Sequence, residues 1–148
     1  MLRGLTTVTY IADDVAAAVD WYAGVLGETP YFRRDADGRP AYVEFRIGDY
    51  AHELGLLDTR FAPAGAGHDG SGAITYWAVD DVHAAYQRLL DRGATSHQPP
   101  IDRGPGYTTA SVVDPFGNVL GIMFNQHYLD VLAGGTSAGR SGPRPAST

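Results

Sequence analysis

Three charged side chains lie close together in the first half of the chain: Glu44, Arg46 and Glu53. In Ala41-Tyr42-Val43-Glu44-Phe45-Arg46-Ile47 the apolar residues alternate with Tyr42, Glu44 and Arg46, the pattern of a strand with one buried face. A carboxylate such as Glu53 can act as a general base or as counter-ion to a cationic ligand. An arginine such as Arg46 can hold an anion bidentately. The same three residues can instead neutralise one another as a cross-strand ion network. The residues alone leave both readings open.

Other chemistries find less support. There are no cysteines, which removes disulfides, thiol nucleophiles and Cys-type zinc sites. Of the 5 histidines, no two share metal-ligand spacing. His52 alternates with Glu53 and points to the opposite face, as a capped or interface histidine. His83 is expected on a solvent-facing helix surface, and His68, His97 and His127 in loops or near the tail. Ser111 has no triad partner, and there is no P-loop, no GxGxxG after a strand and no Gly-x-Ser-x-Gly elbow. A net charge of −6 argues against nucleic acid, whose phosphates select basic surfaces. It suits a cationic ligand, or solubility alone. No apolar run approaches the ~20 residues that cross a membrane. Met1-Leu2-Arg3 leads straight into a strand-like pattern rather than a signal peptide, so a cytoplasmic location is expected.

The elements that must position these residues follow from periodicity. Leu5 to Ala12 is rich in β-branched residues and is expected as a strand. Asp13-Asp14 offers an N-cap to a helix with Val15, Ala18, Val19, Tyr22 and Leu26 on one face, stopped by Gly27 and Pro30. Strands are expected at Tyr31–Arg34, Ala41–Ile47 and Ala51–Leu57, with a turn at Asp35-Ala36-Asp37-Gly38. Residues 59–72 are Gly-, Ala- and Pro-rich and read as a linker.

After the linker the order repeats. Ala73–Val79 is strand-like, and Asp80-Asp81 caps a helix carrying Val82, Ala85, Tyr86, Leu89 and Leu90. A short extended piece from Thr95 to Ile101 is expected to break at Pro99-Pro100. Tyr107–Val113 and Val119–Asn125 flank Asp114-Pro115-Phe116-Gly117-Asn118, a hairpin turn in which Pro115 fixes one bend. Placing Asp13-Asp14-Val15 over Asp80-Asp81-Val82 gives a repeat of 67 residues, β-α-β-β-β in each half. The expected organisation is a first module at 1–58, the linker at 59–72, a second module at 73–128 and a flexible tail at 129–148. From Gly134 the tail holds little that could be buried.

The tandem repeat, the Asp-Asp-Val helix entries and the Asp-Pro-Phe-Gly-Asn hairpin resemble the vicinal oxygen chelate superfamily, over roughly residues 4–128. Its members include glyoxalases, extradiol dioxygenases, fosfomycin-modifying transferases and bleomycin-type resistance proteins. The resemblance implies an α+β fold: two β-α-β-β-β modules, a curved mixed sheet forming a cup, and helices outside it. It also implies a homodimer. It does not by itself name an activity, because the fold hosts many.

Metal enzymes of the family carry His, Glu or Gln at four cavity positions, in the first and last strand of each half. By the resemblance these fall on Thr7, Glu53, Ile74 and Gly121. Only Glu53 is a good donor, and one carboxylate does not hold a catalytic divalent ion. No metal and no other cofactor is expected.

Strand parity then places Thr7, Thr9, Tyr42, Glu44, Arg46, Glu53, Tyr76, Thr109, Ser111, Met123 and Asn125 on the cavity face. Tyr42, Tyr76 and Tyr107 are the candidates for stacking on a planar ligand. Tyr22 and Tyr86 belong to helix core faces, and Trp21 and Trp77 could serve either purpose. Arg103-Gly104-Pro105-Gly106-Tyr107 reads as a flexible cavity rim or as a plain connection. The expected function is metal-independent binding of a small hydrophobic or aromatic molecule. The alternative is a glyoxalase-like lyase or isomerase with Glu53 as acid/base and Arg46 as electrophile. An extradiol-type iron site lacks its two histidines.

Overall fold

Asp14 and Asp81 set the frame. Each leaves its strand extended and accepts a hydrogen bond from a first-turn amide, Ala17 N–H at 3.0 Å and Ala84 N–H at 3.0 Å. Helix α1 (Val15–Leu26) follows the first cap and buries Val15, Ala18 and Tyr22. Helix α2 (Val82–Asp91) follows the second and buries Val82, Ala85 and Leu89. The computed structural model describes residues 5–63 and 74–135. His68, most of the expected linker and the tail beyond residue 135 lie outside them.

The strands are β1 (Thr7–Ala12), β2 (Phe32–Ala36), β3 (Arg39–Ile47), β4 (His52–Asp58), β5 (Thr75–Ala78), β6 (Thr95–Gly104), β7 (Tyr107–Val113) and β8 (Val119–Asn125). They form two four-stranded sheets, β1-β4-β3-β2 and β5-β8-β7-β6. β1 runs parallel to β4 and β5 parallel to β8, and every other pair is antiparallel. Each parallel pair follows from the module order, because the helix carries the chain away before the last strand returns beside the first. The fold is α+β and its strands are mixed in direction, as expected, with one four-stranded sheet from each β-α-β-β-β module.

Three segments differ from the sequence reading. β6 does not break at Pro99-Pro100. It pairs with β7 alone, and an edge strand tolerates the missing donors through register shifts between Gln98 and Ile101. Because β6 reaches Gly104 and β7 begins at Tyr107, Pro105-Gly106 is a tight connection and not a flexible rim. Residues 129–135, assigned to the tail, belong to helix α3 (Gln126–Gly135). Its Tyr128 hydroxyl donates to Asp49 at 2.9 Å, and its ring meets Tyr50 edge-on.

The two modules share one core. Val43, Phe45, Leu54 and Leu56 from the first sheet cluster with Ala110, Val112, Leu120 and Ile122 from the second, around Tyr10 and Tyr22. Across the junction Trp77 Nε1 donates to the Tyr10 hydroxyl at 3.1 Å, and Tyr22 donates to Asp114 at 2.6 Å. Asn118 completes it: its side chain accepts from Ile11 N–H at 3.0 Å and donates to Ile11 C=O at 2.9 Å. The β7–β8 hairpin thus stands in for a strand neighbour along β1. With the helix sides of both sheets turned inward, their opposite faces look away from the core.

Candidate functional site

The outward face of the first sheet gathers most of the expected charges. Parity aims Tyr42, Glu44 and Arg46 away from buried Val43 and Phe45, and the β3–β4 register sets Arg46 opposite Glu53. Thr7 Oγ1 donates to Glu53 at 2.9 Å, and Arg46 Nη2 lies 3.7 Å from the same carboxylate. Tyr42 donates to Glu44. Tyr31 donates to Glu44 and reaches Glu53 at 3.3 Å, while the Arg46 guanidinium sits 4.0 Å over the Tyr31 ring. Burial, and then the charge of Glu53, push the Glu44 carboxyl upward against the opposing pull of Arg46. Burial and Glu53 likewise raise Tyr42. The cross-strand ion network is therefore present, with two phenols built into it.

Tyr31 was not singled out from sequence. Its backbone N–H binds Glu44 C=O at 3.0 Å, just before β2 begins, so its partnership depends on the β2–β3 register. Thr9 lies on the same outward side and is exposed, with no side-chain partner among the described residues.

The outward face of the second sheet is a separate cluster. Ser111 is fully buried and its Oγ lies 2.8 Å from His97 Nδ1, a partner that sequence did not reveal because β6 was expected to break nearby. Arg103 donates to Thr109 at 3.2 Å and to Gln98 at 3.0 Å. Asn125 accepts from His127 N–H at 2.9 Å and so serves the start of α3. Tyr107 is exposed at the edge of this face. The structure thus divides the expected residues between two faces of one chain.

A cavity of about 630 Å³ lies between the modules, walled largely from the helix side and reaching round β5 and β8 to their outward residues. Of the expected site residues it contains only Tyr76, Met123 and Asn125.

A family model described as Glyoxalase/Bleomycin resistance protein/Dioxygenase superfamily matches residues 4–122. The chain belongs to this superfamily. No curated protein matches the sequence. Among solved structures, a member of the superfamily from Sphaerobacter thermophilus is 24% identical with a TM-score of 0.64, over 82% of this chain and 97% of that one. TioX from Micromonospora is 22% identical with a TM-score of 0.62, over 83% and 99%. A glyoxalase-related enzyme from Fulvimarina pelagi is 19% identical with a TM-score of 0.63, over 84% and 90%. At these identities the likeness is one of fold.

Membership in the superfamily raises the question of its metal positions, and strand register corrects one of them. Tyr10 pairs with Leu56, and its repeat partner Trp77 pairs with Ile122. One residue back, Gly121 therefore matches Gly55 and not Glu53. Glu53 sits lower on β4, in register with Thr7. Ile74 precedes β5 and is exposed. At both glycines a tyrosine fills the space a ligand side chain would need. A Cβ on Gly55 would lie 2.5 Å from the Tyr42 hydroxyl, and one on Gly121 2.6 Å from Tyr76 Cδ1. Thr7, Gly55, Ile74 and Gly121 do not make the donor set of a divalent ion. Among the described residues no three His, Asp or Glu side chains converge on a metal site.

Proposed function

We propose that this superfamily member is a metal-independent binding protein that holds a small hydrophobic or aromatic molecule against its outward sheet faces. The observation that carries this reading is the pair of tyrosine–glycine contacts, Tyr42 on Gly55 and Tyr76 on Gly121. Each replaces a ligand position with an aromatic surface, and aromatic surfaces favour planar apolar partners. Exposed Tyr31 and Phe32 extend the first surface, and Tyr107 the second. The first face, with Tyr31 and Phe32 exposed, is open in a single chain, and a second copy laid on it would close it into a cup.

The test is a thermal-shift screen of planar aromatic compounds, with elemental analysis of the purified protein. A compound at ~100 times its Kd adds roughly 2.7 kcal/mol, a shift of several degrees at this size. Tyr42→Ala and Tyr76→Ala should remove that shift. A stoichiometric, tightly held divalent ion would overturn the reading.

A second reading keeps Glu53 as acid/base in a glyoxalase-like lyase or isomerase. It is favoured by the raised carboxyl of Glu44 and by the Tyr31 hydroxyl it shares with Glu53. Product formed from a dicarbonyl or an epoxide by the wild type, and abolished by Glu53→Gln, would select it over simple binding.

A further inference from the structure

We infer that the cavity between the two modules is a second site, which takes a long-chain carboxylate. Its apolar walls include the helix-side residues Leu26 from α1, Leu54 from β4, Trp77 from β5, Leu89 from α2 and Ile122 from β8, and Tyr76 and Met123 reach it from the other side of the second sheet. A space of about 630 Å³ falls within the ~300–1,000 Å³ of small-molecule pockets. Protein interiors otherwise close to crystal-like density, because an apolar wall facing a gap forgoes its dispersion contacts. The packing of the two modules leaves this gap along a junction that is hydrogen-bonded elsewhere. A hydrocarbon chain would restore the missing contacts.

The headgroup follows from the rim. Arg88 and Arg92 line the cavity, are exposed, and lie one helical turn apart at the end of α2. Neither pairs with a carboxylate among the described residues. Residue 92 is held against α1: Trp21 Nε1 donates to its carbonyl at 2.8 Å. Its guanidinium lies against Gly24 of α1, where an added Cβ would be 2.7 Å from Nη1. Complementing the C-terminal dipole of α2 accounts for one basic residue near the helix end. It does not account for two at the rim of an apolar cavity.

Three acidic residues, Glu28, Asp49 and Asp80, also line the cavity, and none is ion-paired with the arginines. Asp49 accepts from Tyr128, and Asp80 stands at the opposite end of α2. Two guanidinium forks over an apolar slot match a carboxylate on a hydrocarbon chain.

The experiment titrates the whole protein with dodecanoate below its micelle concentration, following tryptophan fluorescence and calorimetric heat. Dodecanol is the uncharged control. Dodecanoate should bind, and the Arg88→Ala/Arg92→Ala protein should bind it about tenfold or more weakly with dodecanol affinity unchanged. Trp77→Phe should remove most of the fluorescence response while the heat persists. Absence of dodecanoate binding, or binding indifferent to both arginines, overturns the inference. Binding lost in Tyr42→Ala but kept in the arginine variant also overturns it, by placing the ligand on the outward sheet face. The outward-face proposal fails separately, if aromatic compounds give no shift.

Discussion

Tyr10 and Tyr22 stack with ring centroids 5.9 Å apart at the module junction, and burial alters both phenols. Desolvation pushes Tyr10 up to about 12. Desolvation, with the neighbouring charge of Asp114, holds Tyr22 well above the usual range. In the unfolded chain both ionise at ~10. Below that pH neither group makes stability depend on pH. Above it the unfolded chain releases protons that the folded chain keeps, so stability falls until the folded groups ionise. The expected slope is about 1.4 kcal/mol per pH unit for each phenol held neutral. Urea midpoints measured from pH 9 to 12 should fall, and Tyr22→Phe should flatten the decline. A second residue-scale prediction concerns Gly121. Gly121→Ala forces a Cβ onto Tyr76 and should cost about 1–3 kcal/mol in urea unfolding. Much of that cost should vanish in a Tyr76→Ala background. Equal costs in both backgrounds would place the clash on the Thr75 carbonyl, 2.7 Å from the same Cβ.

At the scale of elements, Asn118 joins a hairpin of the second module to the first strand of the first. It bonds both backbone groups of Ile11 and also Asp114, whose carboxylate already receives Tyr22 and two turn amides. Asn118→Ala leaves the Ile11 groups without these partners and should cost about 2–3 kcal/mol. Faster hydrogen exchange at Ile11 N–H would report the loss directly. Such elements were legible because their signals are local: aspartates before α1 and α2, and Asp-Pro-Phe-Gly-Asn between two apolar runs. β6 was not, since tolerance of Pro99-Pro100 comes from its edge position, which only the assembled sheet defines. Helix α3 was hidden for a related reason. Its anchor is Tyr128 on Asp49 and Tyr50, a contact across 79 residues of sequence. The candidate site divides along the same line. Alternation placed Tyr42, Glu44 and Arg46 on one face. Tyr31 with Glu44, His97 with Ser111 and Gly55 as the partner of Gly121 all depend on register, which alternation alone does not set.

For the whole molecule, the helix sides of both modules are spent on one core, and this decides what the other faces can do. The outward face of the first sheet carries Tyr31 and Phe32, each 45% exposed, beside carboxylates already satisfied by phenols and Arg46. Apolar rings clustered beside satisfied charges suit an interface core better than open solvent. A second copy laid against this face would bury the rings and enclose the proposed ligand between two chains. The wild type should then sediment at twice the chain mass at micromolar concentration, with a urea midpoint that rises with protein concentration. Phe32→Asp, at an exposed strand position, should give a monomer whose midpoint no longer depends on concentration. Since the cup needs both copies, the same variant should lose its thermal response to aromatic compounds. Dodecanoate binding should persist in that monomer, because its cavity is built within one chain. A wild type that sediments as a monomer, yet responds to aromatic compounds, would put the ligand on a single open face and remove the need for a partner.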